Sequence, residues 1–548
     1  MAASLLVGAA RALRRVPLLL LAGALTLPVL ALLGAWLPVG EGGVQAAAIL
    51  RAMAATVLPE YVWTTLWLGL LVAVGAALVG TAGAAAVTLF DFRGRRQMEW
   101  LLLLPLALPA YVTAYAYTDF LQFSGPLQTW LRESLGVQGR VFPDIRSLGG
   151  AVWVFVFALY PYVYLLARTA LGERAVQLME AARLLGASPA RCVRSVALPL
   201  ARPAVAAGVA LVSMETLADF GVTSYFGIQT FTVGIYKAWL AMDDRIAAAQ
   251  LSTFLLLLVA VLLQLEHRAQ RRMRFATAGA GRAGAMQARP RWLAGRRCVL
   301  AWLVCLVPVV MGFVLPVLFM LRPLAADWSV LPWSRFLQWA GNSLRLAAIT
   351  AVLGVLVALL LAYAVRRRPD RLTRGVVRLA GLGYAVPGAV IVVGILLPVG
   401  WLQQALPSWG APALIATTAA GIVWAYLVRF CAVSLQSVQS GYARMPTSLD
   451  DAARMLGAGR VALLTRVHWP LLRRSTAAAA LLVFVDVMKE LPATIVLRPF
   501  NSDTLAVVAY QLARDERLGE AALPSLALAL VGLVPVILLS RTLRSNPR

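Results

Sequence analysis

Glu180 to Pro199 reads EAARLLGASPARCVRSVALP, and Asp451 to Pro470 reads DAARMLGAGRVALLTRVHWP. The two stretches share an acid, two alanines, a glycine and a final proline at an offset of 271 in a chain of 548 residues. Repetition at about half the chain length means two homologous halves rather than one large domain. Each copy lies between strongly apolar segments, which makes it a polar connector, repeated symmetrically and placed to meet a soluble partner.

Working outward from these loops, 61% hydrophobic residues, 14% charged residues and a mean hydropathy of +0.79 describe a polytopic membrane protein. The net charge of +26 is carried by arginines in short connectors beside apolar spans, where topology requires them, so nucleic acid is not the expected partner. Cys192, Cys298, Cys305 and Cys431 form no CxxC pair and support neither a disulfide framework nor a structural zinc site.

Arg11, Arg14 and Arg15 precede an apolar run from Val16 to Leu37, too long for a signal-peptide core and read as a retained first helix. Further spans are expected near 61–90, 100–119, 149–168, 203–225 and 246–266, then 298–321, 343–365, 379–399, 413–435, 476–497 and 521–540. The expectation is an all-α protein of about twelve transmembrane helices, six per half. Arginine-rich connectors at Arg93/Arg95/Arg96, Arg183/Arg191/Arg194, Arg366/Arg367/Arg368 and Arg454/Arg460/Arg466 alternate with arginine-poor ones such as 38–60 and 400–412. That alternation, with Arg541, Arg544 and Arg548 in the tail, puts both termini in the cytosol. The boundaries read as 1–60 for the first helix and its outer loop, 61–266 for the first transmembrane domain, 267–297 for a basic linker, 298–340 for the seventh helix and its loop, and 341–541 for the second transmembrane domain. The linker holds Gly279, Gly281, Gly284 and Gly295 among its arginines and no acid, which suits a flexible segment lying on anionic lipid.

The halves match beyond the loops. Leu108-Pro109-Ala110 corresponds to Val386-Pro387-Gly388 and Thr65-Leu66 to Ser343-Leu344, both at an offset of 278, and Leu240 to Arg245 corresponds to Leu512 to Arg517 at 272. Six crossings per half give parallel repeats about a pseudo-two-fold axis along the membrane normal.

Within each loop, Glu180-Ala181-Ala182 and Asp451-Ala452-Ala453 put an acid in the first turn of a short helix, Gly186 and Gly457 end it or bend the chain, and Pro199 and Pro470 mark entry to the next span. Ser188-Pro189 favours a second short helix in the first copy. Arg183 and Arg454 are left for a partner.

Four acids lie within spans: Glu215 and Asp219 in the fifth, Asp486 and Glu490 in the eleventh, again at an offset of 271. Spaced i,i+4, each pair is expected on one helix face, near the middle of the bilayer, where bare carboxylates are costly. They fit a pathway for a small, highly charged cation, with a gate or scaffold between helices as the alternative and Lys489 placed to neutralise Asp486 or Glu490. Tyr111, Tyr115, Tyr117, Tyr160, Tyr162 and Tyr164 read mainly as interfacial aromatics, and Arg429 as a side chain snorkelling to the surface.

The only lysines, Lys237 and Lys489, follow Tyr236 and Met488, so no Gly-Lys of a phosphate-cradling loop exists and the chain is not itself a P-loop ATPase. The absence of catalytic motifs argues against an enzyme.

E-A-A followed by Gly and then Leu-Pro resembles the cytosolic motif of ABC importer permeases of the type I fold; the second copy departs by Asp451 and Trp469. Met214-Glu215-Thr216-Leu217-Ala218-Asp219-Phe220-Gly221 and Asp486-Val487-Met488-Lys489-Glu490-Leu491-Pro492-Ala493-Thr494 look like the fused permeases of ferric-iron ABC importers. The resemblance implies a permease pair in one inner-membrane polypeptide and loops that dock on two copies of a cytosolic ATPase. It also implies a periplasmic iron-binding protein outside, ATP consumed by the partner subunits and no cofactor on this chain. Thiamine, phosphonate, sulfate or polyamine remain alternative cargoes, and an ion-gradient-driven transporter an alternative class.

Overall fold

The computed structural model describes residues 16–34, 36, 41–172, 176–278, 291–329, 331–367 and 369–544. Arg11, Arg14, Arg15, the linker residues 279–290 and Arg548 lie outside the described residues. What is described is helical almost throughout; a two-residue parallel pair, Phe90–Asp91 with Arg291–Trp292, supplies the strand content among these residues.

Among the described residues ten helices are long and apolar enough to cross a membrane, and a pair bent by 87°, Arg95–Ala107 with Ala110–Leu135, makes eleven. The bend falls at Pro109, whose ring prevents an unbroken helical ladder. The eleventh expected span, 476–497, is not one helix: Trp469–Lys489 ends, and a separate short helix, Pro492–Leu497, follows. At the linker, helix Arg245–Ala278 runs well past residue 267, because no glycine or proline interrupts the chain between Glu266 and Gly279.

The chain divides into two compact units. One comprises Met1–Ala52, Ile235–Thr253 and Ser334–Val507; the other comprises Met53–Gly234, Phe254–Trp333 and Val508–Arg548. The leading helix of each half therefore belongs to the bundle built mainly by the other half. In the first unit, Val16–Gly34 packs on Gly388–Ala405 and Ala419–Ala443: Trp424 Nε1 donates to the Ala24 carbonyl (2.7 Å), and Gly394 lets the backbone of Pro28 approach where a Cβ would clash. In the second, the seventh span crosses first-half helices, with Tyr117 Oη donating to the Met311 carbonyl (2.7 Å), Trp302 Nε1 to the Arg93 carbonyl (3.0 Å), and Phe120 stacked on Phe319 at 3.9 Å.

The repeat is kept in detail inside each unit. The Phe231 N–H donates to Thr65 Oγ1 (3.3 Å) and the Leu505 N–H to Ser343 Oγ (2.9 Å), the pair of hydroxyl residues matched at an offset of 278. Tyr160 and Tyr164 are fully buried, and Tyr164 Oη donates to the Glu99 carbonyl (2.8 Å), so these two tyrosines are packing residues rather than an interfacial belt.

Candidate functional site

The two loops have one backbone. Helix Val176–Leu184 is closed by Gly186 at φ +85°, with the Gly186 N–H on the Arg183 carbonyl (2.9 Å) and the Ala187 N–H on the Ala182 carbonyl (3.0 Å). Helix Ser448–Met455 is closed by Gly457 at φ +80°, with the same bonds from Gly457 to Arg454 (2.9 Å) and from Ala458 to Ala453 (3.0 Å). This is the Schellman stop, which requires a left-handed residue and therefore favours glycine. A Cβ at either glycine would meet no atom within 4 Å, so the requirement is backbone conformation and not space.

Each loop then enters its long span through a π-helical turn, Val193–Ala197 or Leu463–His468, with Pro199 or Pro470 at the second residue of the helix that follows. A wider turn there tolerates a residue that has no N–H to give. Ser188 opens its short helix, accepting from the Arg191 N–H (3.4 Å).

At the loop tips the structure adds what the sequence reading missed. Leu184 and Leu185 are 89% and 90% exposed, and the equivalent Met455 and Leu456 are both 89% exposed. Two large apolar side chains are thus held in the open at the same place in both copies. The sequence signal was the apolar pair before each glycine in an otherwise polar loop. Arg183 is exposed, and Arg454 lies 3.3 Å from Asp451.

The four span acids divide into two kinds. Helix Leu198–Ala218 stops one residue before Asp219, whose backbone is extended (ψ 135°), and helix Trp469–Lys489 stops before Glu490 (ψ 122°). The i,i+4 face expected for each pair therefore does not exist, because the second acid of each pair is off the helix. It caps the next short helix instead. Asp219 Oδ1 accepts from the Val222 N–H (2.8 Å) and the Thr223 N–H (3.4 Å). Glu490 Oε1 accepts from Ala493 N–H (2.9 Å) and Oε2 from Thr494 N–H (3.0 Å). Thr223 and Thr494 return hydroxyl bonds to the Asp219 and Glu490 carbonyls (3.2 and 2.8 Å). Satisfying the open N–H groups of a helix start with a carboxylate is both a cap and a charge–dipole match. Glu215 and Asp486 remain on their helices, half-buried, one turn before each break.

The second break carries more charge than the first. Arg429 Nη1 donates to Glu490 Oε1 at 3.2 Å, with the side chains 13% and 2% exposed, so Arg429 is turned inward to this pair rather than snorkelling to a surface. Gly388 makes room: a Cβ there would lie 2.9 Å from Arg429 Nη1 and 3.0 Å from Glu490 Oε1. Lys489, in contrast, has Asp486 as its charged neighbour. Among the described residues no three His, Cys, Asp or Glu side chains converge as a metal site.

Residues 79–275, which contain the first loop and the first break, match the family described as binding-protein-dependent transport system inner membrane component. The chain is 24% identical over 490 residues to the Fe(3+)-transport system permease protein FbpB 2 of Haemophilus influenzae, covering 88% of this chain and 90% of that one. It is 23% identical over 490 residues to the ferric transport system permease protein FbpB of Actinobacillus pleuropneumoniae, covering 85% and 68%. It is 31% identical over 169 residues to a putative ABC transporter permease protein of Streptomyces antibioticus, covering 30% of this chain and 69% of that protein.

Proposed function

Because this chain belongs to the family of binding-protein-dependent transport system inner membrane components, we propose that it is the two-half permease of an ATP-driven importer carrying ferric iron from periplasm to cytosol. The observation that carries the reading is the pair of identical glycine-closed loops, each offering two exposed apolar side chains at its tip. Duplicated loops suit duplicated partners, so each loop takes one copy of a cytosolic ATPase, with Leu184 and Leu185 or Met455 and Leu456 buried in the contact and Glu180, Arg183, Asp451 and Arg454 at its rim. Hydrolysis belongs to those subunits. On the opposite face a periplasmic iron-binding protein delivers the cargo.

Ferric iron is supported by two relatives that run most of the chain's length and whose printed names give Fe(3+) or ferric transport. It is also supported by chemistry, since carboxylate oxygen suits a hard trivalent ion. Glu215 and Asp486 are the acids for the pathway. Asp219 and Glu490 hold the breaks of the two spans, so that each short helix after the break moves with its long one as a gate when the ATPases close. Lys489 tempers the charge of Asp486, which lets the cation leave as well as enter.

Reconstitution with the binding protein and the ATPase tests this. Uptake of radiolabelled ferric iron is expected to need all three components and ATP, and Leu185→Glu with Leu456→Glu is expected to lose the ATPase on co-purification and uptake with it. Uptake that follows an ion gradient without ATPase would overturn the proposal.

A further inference from the structure

Asp450, the residue just before the acid of the second loop, is buried among charges that the first loop does not have. Arg366, at the end of helix Trp333–Arg367, grips it with both forks: Nε donates to Oδ2 (2.8 Å) and Nη2 to Oδ1 (2.9 Å). The same guanidinium donates to the Met445 and Pro446 carbonyls (3.0 Å each), in the turn that follows helix Ala419–Ala443. His468, 1% exposed and the last residue of the π turn, places Nε2 3.1 Å from Asp450 Oδ1 and Nδ1 3.2 Å from Tyr442 Oη, with Tyr363 against its ring edge. One carboxylate thus ties together the loop helix, the span leaving the loop and two neighbouring spans.

The equivalents in the first half cannot do this. Met179 stands for Asp450 and Ala197 for His468 at an offset of 271, and Thr88 for Arg366 at 278. Among the described residues no ion pair joins Glu180, Arg183, Arg191 or Arg194 to a membrane helix. Cys192 is buried within the loop itself, its Sγ 3.7 Å from the Ala187 carbonyl and 3.8 Å from that of Met179.

We propose that Arg366, Asp450 and His468 form a rigid joint that makes the second loop the stiffly coupled one, delivering the displacement of its ATPase to three spans at once, while the first loop moves with more freedom. The three are positioning residues, and their role rests on the reading of the loops as ATPase docking sites. A bidentate arginine–carboxylate pair fixes both distance and angle, which a thiol against two carbonyls does not. Removing both charged partners together avoids stranding either one in the interior.

The test uses the full chain reconstituted with its ATPase and the iron-binding protein. In Arg366→Met/Asp450→Asn the ATPase should still co-purify and hydrolyse ATP, while iron taken up per ATP hydrolysed falls about fivefold to tenfold. Arg366→Lys, which keeps charge but loses the fork, should fall between that variant and wild type, and Cys192→Ala should leave the ratio unchanged. An unchanged ratio in the double variant, uptake and hydrolysis falling in equal proportion, or a wild-type ratio in Arg366→Lys would each overturn the joint. Failure of the docking reading is seen separately, as retention of the ATPase by the Leu185→Glu/Leu456→Glu chain.

Discussion

In the first half, Asp219 caps the helix that follows the broken span, with Ala110 at the position that Gly388 occupies in the second. In the second half, Glu490 caps the same break, also receives Arg429, and does so in space opened by Gly388. No arginine lies between Arg146 and Arg168 on the corresponding first-half helix, so the ion pair has no counterpart there. The loops repeat this contrast: Asp450 ties the second to the end of a membrane helix through Arg366, whereas Cys192 packs the first against its own backbone. What was conserved through the duplication is backbone geometry: the Schellman stop, the π turn, and the carboxylate-capped break. What diverged is which buried charges join the helices: Arg429–Glu490 and Arg366–Asp450 in the second half, and Arg95 and Arg168 on Glu99 in the first. Two halves of one polypeptide are free to divide stiffness and compliance between them, which a pair of identical subunits cannot do.

The largest effect should come from splitting the buried pair. Arg429→Met leaves Glu490 without its cation and is expected to lower stability by about 3–5 kcal/mol, whereas Asp219→Ala in the first half removes a cap worth about 1 kcal/mol; thermal melts of the purified variants compare them. Next is the residue that makes the room. Gly388→Ala should cost about 1–3 kcal/mol through overpacking, and the reverse change, Ala110→Gly, less than about 1 kcal/mol. Gly186→Ala and Gly457→Ala should be smaller and, unlike the others, equal in the two halves, at about 1 kcal/mol each, because both glycines are left-handed with open space around them. Unequal losses would break the symmetry claimed for the loop backbone.

Acidity gives the smallest contrast near neutral pH. The Arg366 guanidinium holds the Asp450 carboxyl below the usual carboxylate range, with His468 helping and burial opposing. A group depressed in the folded protein contributes its stability above its unfolded value, about 3.9 for aspartate, and loses it as pH falls through the folded value. The stability gap between wild type and Asp450→Asn should therefore be flat from neutral pH to about pH 5 and close below about pH 4. A gap that closes between pH 6 and 7 would assign the effect to another group.

Local features were legible in the sequence because local rules produce them. A C-terminal glycine and a helix-entry proline gave the loop, and long apolar runs gave nearly every span; the expected first-turn acid holds for Asp451 but not for Glu180, because its helix already begins at Val176. Three things were not legible. The exchange of leading helices between bundles is a matter of neighbours, which hydropathy does not encode. The partner of Glu490 lies 61 residues away on another helix, so an inward Arg429 could be recognised only from contact. The i,i+4 reading of the acids assumed a continuous helix; in the second half Pro492, which has no N–H for the helical ladder, was the available sign that it ends. His468 likewise takes its partners, Asp450 and Tyr442, from residues that spacing in the sequence does not mark.

Both loop tips are expected to face the cytosol and to be covered by a soluble ATPase. Leu185→Cys and Leu456→Cys, each introduced into a chain whose four native cysteines are replaced, can be labelled with a membrane-impermeant maleimide. Labelling is expected in inside-out vesicles only, and adding the ATPase should protect both positions. Labelling from the periplasmic side, or tips that stay fully reactive with the ATPase bound, would contradict that expectation.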